Sequence, residues 1–214
     1  MPRTARASVA NHVYHVLSRG NRRETVFLDD TDFSRFRRLM QEANERIAMR
    51  MLTYCIMSNH FHFVLWPRRD EDLAKWMHWL LTSYVRWHHR RYDSEGHLWQ
   101  GRFKAFPIQN DAHLLTVLRY VDSNPVRANL VHDVRDWHWG AMGDDRIPLS
   151  EAPIERPQPW TRWVNEPQTF SEEEAMRECI ARGRPYGEAQ WVEAISTKLD
   201  LTCAKNPRGR PRKK

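Results

Sequence analysis

His60 and His62 flank Phe61 in the run His-Phe-His-Phe-Val-Leu-Trp (60–66). Alternate side chains of a β-strand share a face, so both imidazoles project one way while Phe61, Phe63 and Leu65 project the other. Two ring nitrogens on one face suit adjacent coordination positions of a divalent cation, leaving room for a third ligand, water and substrate. Tyr120 and Asn124 stand four residues apart, and on a helix that spacing brings phenol and carboxamide to one face. A tyrosine beside a metal-held phosphate can form a covalent phosphotyrosine, and the Asn124 amide oxygen is suited to be the third ligand. Each signal alone also fits an ordinary role: histidines lining a polar sheet face, a half-buried tyrosine, an asparagine ending a helix before Pro125.

The chemistry is energetically coherent. A free phenol ionises near pH 10, so making phenolate at neutral pH costs roughly 4 kcal/mol. A bound cation offsets much of that and polarises the phosphate for in-line attack. A phosphotyrosine conserves the phosphodiester's energy for rejoining, so no nucleoside triphosphate is required, and the sequence has no G-x-x-x-x-G-K-[ST] loop. Arg19, Arg22 and Arg23 border an early turn, and Arg102 and Lys104 stand two apart in a predicted strand; all five are candidate phosphate contacts. Trp99 and Phe103 would stack bases only if exposed. Trp76, Trp79, Trp87, Trp137 and Trp139 read as packing residues. His88, His89 and His97 are discounted as a second metal site, because neighbours on a helix diverge by about 100°.

The elements that must position these groups follow from pattern. Asn11 to Gly20 is rich in aromatic and β-branched residues and reads as a strand. Residues 29–32 offer N-caps to a helix with Phe33, Phe36, Leu39, Met40, Ala43 and Ile47 at helical spacing. Met51–Met57 and His60–Trp66 form a hairpin through Ser58-Asn59. Asp72 caps a long helix burying Leu73, Trp76, Leu80, Tyr84 and His88, which ends before Gly96. A fourth strand spans Leu98–Ile108, and Asn110-Asp111 caps a helix carrying Leu114, Val117, Leu118 and Val121. The order β-α-β-β-α-β-α predicts an α+β, ferredoxin-like split β-α-β antiparallel sheet, both crossover helices on one face, the other face open to ligand, and an added helix bearing Tyr120.

Beyond Trp139 prolines at 148, 153, 157, 159 and 167 argue against regular structure. The expected organisation is a catalytic domain over 1–144, a proline-rich linker over 145–169, a helical extension over 170–201 and a basic tail over 202–214. Ser171 to Glu174 has capping-box spacing, and a second short helix carries Val192, Ile195 and Leu199. This helix pair fits either a small DNA-binding helix-turn-helix or a unit packed on the catalytic domain. In the tail, Arg208-Gly209-Arg210-Pro211 resembles the minor-groove-binding core of AT-hook segments, and Arg208 and Arg210 are read as a basic anchor for DNA.

The 214 residues carry 34 Lys+Arg against 27 Asp+Glu, a net charge of +7. That excess, concentrated at the C-terminal end, points to nucleic acid rather than a membrane. With 41% hydrophobic residues and 10 Trp the chain can bury a core, so wholesale disorder is excluded. No run reaches the roughly 18 apolar residues of a membrane span, and the first residues lack the apolar stretch of a signal peptide. Cys55, Cys179 and Cys203 form no C-x-x-C pair, arguing against a disulfide framework or cysteine-based zinc site. A soluble, cytoplasmic protein is the expectation.

Four ordered segments are more specific than any single residue: His-Val-Leu-Ser-Arg-Gly-Asn-Arg-Arg (15–23), Met-Ser-Asn-His-Phe-His-Phe-Val (57–64), Leu-Trp-Gln-Gly-Arg-Phe-Lys-Ala (98–105) and Leu-Arg-Tyr-Val-Asp-Ser-Asn-Pro-Val-Arg-Ala (118–128). Together, over about residues 11–131, they resemble the REP-associated tyrosine transposases, single-tyrosine members of the HUH nuclease superfamily. The resemblance implies that His60 and His62 are the metal-binding histidine pair, Tyr120 the nucleophile and Asn124 a further metal ligand. It implies Mg²⁺ or Mn²⁺ as cofactor, and cleavage of single-stranded DNA beside hairpins of palindromic repeats, leaving a 5′-phosphotyrosine and a free 3′-OH. It leans towards a monomer, while related insertion-sequence transposases are dimers. Two rivals stay open: a non-catalytic single-stranded nucleic-acid-binding module of ferredoxin-like fold, and a metal-dependent hydrolase that uses activated water.

Overall fold

The run after Asn11 forms strand β1 (Val13–Arg19) in a computed structural model that describes residues 9–201. Helix α1 (Asp30–Arg46) follows, its first turn capped by the Asp29 carboxylate, which accepts the Thr31 and Asp32 N–H groups. Strands β2 (Met49–Met57) and β3 (His60–Pro67) pair as the expected hairpin. Helix α2 (Asp72–Tyr92) crosses back to β4 (Lys104–Ile108), giving the order β2-β3-β1-β4 with every neighbour antiparallel. This is the split β-α-β, ferredoxin-like sheet.

One face packs on α1 and α2. Phe36 of α1 meets Phe61 and Phe63 of β3, and Trp76 of α2 stands edge-on to Phe63. All five side chains expected for the buried stripe of α2, His88 included, are buried. Asp72, however, is the first helical residue rather than the cap; its carboxylate accepts the Arg69 N–H in the preceding turn. A bulge between Met51 and Thr53 resets the alternation of β2, so Met51 and Tyr54 face one core while Leu52 and Cys55 face the other.

The expectation of an open second face fails. Helix α3 (Ala112–Asp122) lies across it, with Leu114, Val117, Leu118 and Val121 against Val13, Leu52, Cys55, Val64 and Ile108. Burying those apolar side chains outweighs leaving the face solvated, and a cleft remains at the end carrying His60 and His62. The predicted fourth strand is also shorter at its start: residues 98–103 turn through Gly101, at φ +92°, so Arg102 precedes β4. Trp99 and Phe103 are buried in the first core.

After α3 come a short helix α4 (Asn124–Arg127) and a long return along the edge of β2, where Ile56 N–H donates to the Trp139 carbonyl and Ala141 N–H to Tyr54. The proline-rich stretch is not devoid of regular structure: Trp160–Asn165 forms helix α5, and the Trp160 indole donates to buried Asp122. Helix α6 (Phe170–Arg182) begins two residues earlier than the Ser171 signal suggests, because Thr169 and Glu172 form the capping box. Helix α7 is Ala189–Lys198. This C-terminal pair packs on the sheet domain: Met176 is fully buried in the second core, and Tyr186 bridges to Ile108 at the β4 edge. Among the described residues no helix is long and apolar enough to cross a membrane.

Candidate active site

Cross-strand register brings the predicted groups together. His62 lies opposite Leu17 and His60 opposite Arg19, at the end of the sheet that α3 leaves open. The loop after β1 fixes that end: Gly20 N–H donates to Asn59 carbonyl at 2.8 Å, and Val26 and Phe27 N–H groups donate to Ser58. Gly20 admits no side chain, since a Cβ there would stand 2.2 Å from the Glu24 carbonyl oxygen. The two-residue turn that launches His60 is thereby clamped.

The imidazoles of His60 and His62 have centroids 5.1 Å apart, and that of His62 lies 5.8 Å from the Tyr120 ring. His60 Nδ1 donates to the Asn59 amide oxygen at 2.6 Å, which leaves Nε2 as the lone-pair nitrogen. Burial, reinforced by Arg19, lowers His60 to about 4. Burial holds His62 well below the usual histidine range, with His15, His60, Arg127 and Arg19 adding to it. Both rings are therefore neutral at physiological pH, the form that coordinates metal.

Tyr120 and Asn124 do not share one unbroken helix, since α3 ends at Asp122 and Asn124 opens α4. The carboxamide still returns to the tyrosine: Asn124 Nδ2 donates to the Tyr120 carbonyl at 2.9 Å and to Val121 at 3.3 Å. Among the described residues the amide oxygen makes no hydrogen bond. His60, His62, Tyr120 and Asn124 all line one cleft of about 440 Å³. Two neutral imidazoles and an amide oxygen are a donor set suited to a divalent cation, and among the described residues no further His, Cys, Asp or Glu completes a cluster with the pair.

Arg19, Arg23, Arg102 and Lys104 line the same cleft, with the Lys104 ammonium donating to the Ile180 carbonyl at 2.8 Å. Arg22 is exposed and does not line it. Arg208 and Arg210 fall outside the described residues. Three groups escaped the sequence reading. Arg127 lies over the Tyr120 ring, a placement its seven-residue spacing on consecutive helices allowed. His15 meets His62, signalled only by a histidine among apolar strand residues. Arg177 of α6 closes the cleft from a segment whose pattern carried no sign of it.

Residues 8–124, more than half the chain and ending at Asn124, match the family described as transposase IS200 like. A Haemophilus influenzae (strain ATCC 51907 / DSM 11121 / KW20 / Rd) protein named as a REP-associated tyrosine transposase is 27% identical over 139 residues, spanning 56% of this chain and 78% of that protein. A solved structure of a REP-associated tyrosine transposase bound to a REP hairpin superposes with a TM-score of 0.54 at 18% identity, covering 67% of this chain and 84% of that one. The latter is a likeness of fold.

Proposed function

The chain belongs to the IS200-like transposase family, and from that premise we propose that it is a metal-dependent endonuclease and strand transferase acting on single-stranded DNA beside hairpin-forming palindromic repeats. Tyr120 is the nucleophile. Its phenolate oxygen attacks the scissile phosphorus, the bond to the 3′ oxygen breaks, and the products are a 5′-phosphotyrosine and a free 3′-OH. Attack of a 3′-OH on that linkage rejoins DNA and releases the tyrosine. His60, His62 and Asn124 would hold Mg²⁺ or Mn²⁺, which when bound would polarise the phosphate and stabilise the charge developing on it. The observation that carries this reading is the convergence of Tyr120 and both neutral histidines in one cleft walled by arginines.

The chain's own residues supply the rest. Helix α3 sets the Tyr120 ring edge-on to His62, and Arg127 brings a positive charge 4.2 Å from the ring centre. Arg19, Arg23 and Arg102 track a DNA backbone into the cleft. A hairpin substrate is supported by the hairpin-bound relative of the same fold.

The test is end-labelled single-stranded DNA carrying palindromic repeats from the host genome, incubated with Mn²⁺ or Mg²⁺ and resolved on a denaturing gel. The expected result is a protein-linked band that requires metal and disappears in Tyr120→Phe while DNA binding persists. Cleavage without an adduct supports the hydrolase instead, and tight binding of hairpins with neither product supports a non-catalytic module.

A further inference from the structure

We propose that His15 is a positioning residue for His62: its Nε2 accepts a hydrogen bond from the His62 Nδ1–H and keeps the His62 Nε2 lone pair facing the cleft. The two nitrogens are 2.8 Å apart and both rings are buried, His15 completely. The inference rests on the reading of His62 as a metal ligand and extends it to a residue with no place in that donor set.

The surroundings of His15 explain why it is not simply a core residue. On its strand face it stands between Val13 and Leu17, opposite Val64 and Phe106. An aliphatic side chain would fill that position with every polar group satisfied. The imidazole instead leaves its own Nδ1 buried without a partner among the described residues. The nitrogen that does find a partner is the one aimed at His62, and that contact is the polar interaction the buried ring makes. Its orientation is held by edge-on contact with Phe106 at 4.9 Å and Tyr120 at 6.1 Å between centroids.

Two observations bear on where the shared proton sits. Arg19, Arg23 and Arg102 wall the cleft that His62 lines, and a positive field favours a lone pair turned towards it and an N–H turned away, into His15. His60 is held in the same manner, with its Nδ1 donating to the Asn59 amide oxygen. Each histidine of the pair thus has an acceptor behind Nδ1, one from a turn and one from the core of β1. Acceptors of this kind fix the tautomer and aim of a ligating imidazole.

The measurement is the tautomer of His62 in metal-free protein labelled with ¹⁵N-histidine, read from long-range proton–nitrogen spectra at mildly alkaline pH, alongside Mn²⁺ titration by electron paramagnetic resonance. The wild type should carry the His62 proton on Nδ1. His15→Phe, which removes the acceptor, should release that tautomer preference and weaken Mn²⁺ binding about ten- to hundredfold. His15→Gln, whose amide oxygen can accept, should recover most of both. A His62 proton on Nε2 in the wild type overturns the proposal, as does a folded His15→Phe with unchanged Mn²⁺ affinity. If His15→Phe does not fold, the wild-type tautomer and the Gln variant still decide. A wild type that binds no Mn²⁺ yet shows the Nδ1 proton supports the positioning bond and overturns the metal reading instead.

Discussion

Arg127 lays its guanidinium 4.2 Å from the centre of the Tyr120 ring while its Nε donates to Glu173 at 3.0 Å. The charge is held in place by helix α6, because Glu173 also pairs with Arg177 at 2.6 Å. In the proposed reaction, a cation fixed at that ring is placed to stabilise the negative charge that develops as the phosphate is attacked. Glu173 offsets part of this, and Arg127 Nη1 is buried without a hydrogen-bond partner among the described residues.

Replacing Arg127 by alanine should therefore slow formation of the Tyr120–DNA adduct about tenfold or more, equivalent to roughly 1.4 kcal/mol of transition-state stabilisation. Affinity for uncleaved DNA should change much less. Single-turnover adduct formation at saturating DNA, compared with binding to the Tyr120→Phe protein, separates the two. Equal losses in rate and affinity would reduce Arg127 to an ordinary backbone contact.

The sheet and its histidine face were legible because strand alternation and turn residues are local: His60, Phe61 and His62 follow from a period of two wherever the strand lies. The covering of the second face was not, because whether α3 packs on that face or leaves it open depends on Leu52, Cys55 and Val64, distant in sequence, offering it an apolar surface. Arg102 was misplaced for a local reason, since Gly101 breaks the strand pattern that its neighbours continue. His15 and Arg177 illustrate the remaining limit. Their roles exist only through a partner on another element, so no spacing within their own segments announces them.

Gly20→Ala tests the clamp behind His60. The added methyl would meet the Glu24 carbonyl at 2.2 Å and the Val26 side chain at 2.7 Å, so the backbone must move. Overpacking of this kind costs typically about 1–3 kcal/mol. The movement falls on the turn that holds Asn59 and His60, so Mn²⁺ affinity should fall together with the urea midpoint. A variant with wild-type stability and metal binding would show that the loop yields freely.

Asp122 gives a pH dependence. Burial pushes its carboxyl up to about 6 from an ordinary 3.8, although Thr53, Arg156 and Trp160 each pull it down. Between those values the folded protein holds a proton that the unfolded chain has released, so this group's contribution to stability declines as pH rises through the window. The full decline is on the order of 3 kcal/mol. Asp122→Asn cannot release the proton, so its stability relative to wild type should improve between about pH 4 and pH 7 by that order. Urea unfolding of both metal-free proteins at the two pH values measures the difference directly. A constant gap would place Asp122 near its ordinary ionisation.

Arg102 and Arg22 are both exposed arginines near the site, but only Arg102 lines the cleft, whereas Arg22 sits at φ +51° in the loop beyond β1. If DNA follows the cleft, one phosphate contact is lost in Arg102→Ala and none in Arg22→Ala. A contact to single-stranded DNA carries a slope of about 0.7 in the logarithm of affinity against the logarithm of salt concentration. Arg102→Ala in the uncleavable Tyr120→Phe background should therefore lower that slope by roughly 0.7, and should weaken binding evenly across base sequences because phosphates carry no sequence information. Arg22→Ala should leave slope and affinity as they were. Fluorescence anisotropy with labelled oligonucleotides over a salt series tests both variants at once. Equal losses at the two positions would move the DNA path out of the cleft and onto the face that Arg22 shares, whereas a sequence-dependent loss at Arg102 would mean that its guanidinium reads a base edge rather than a phosphate.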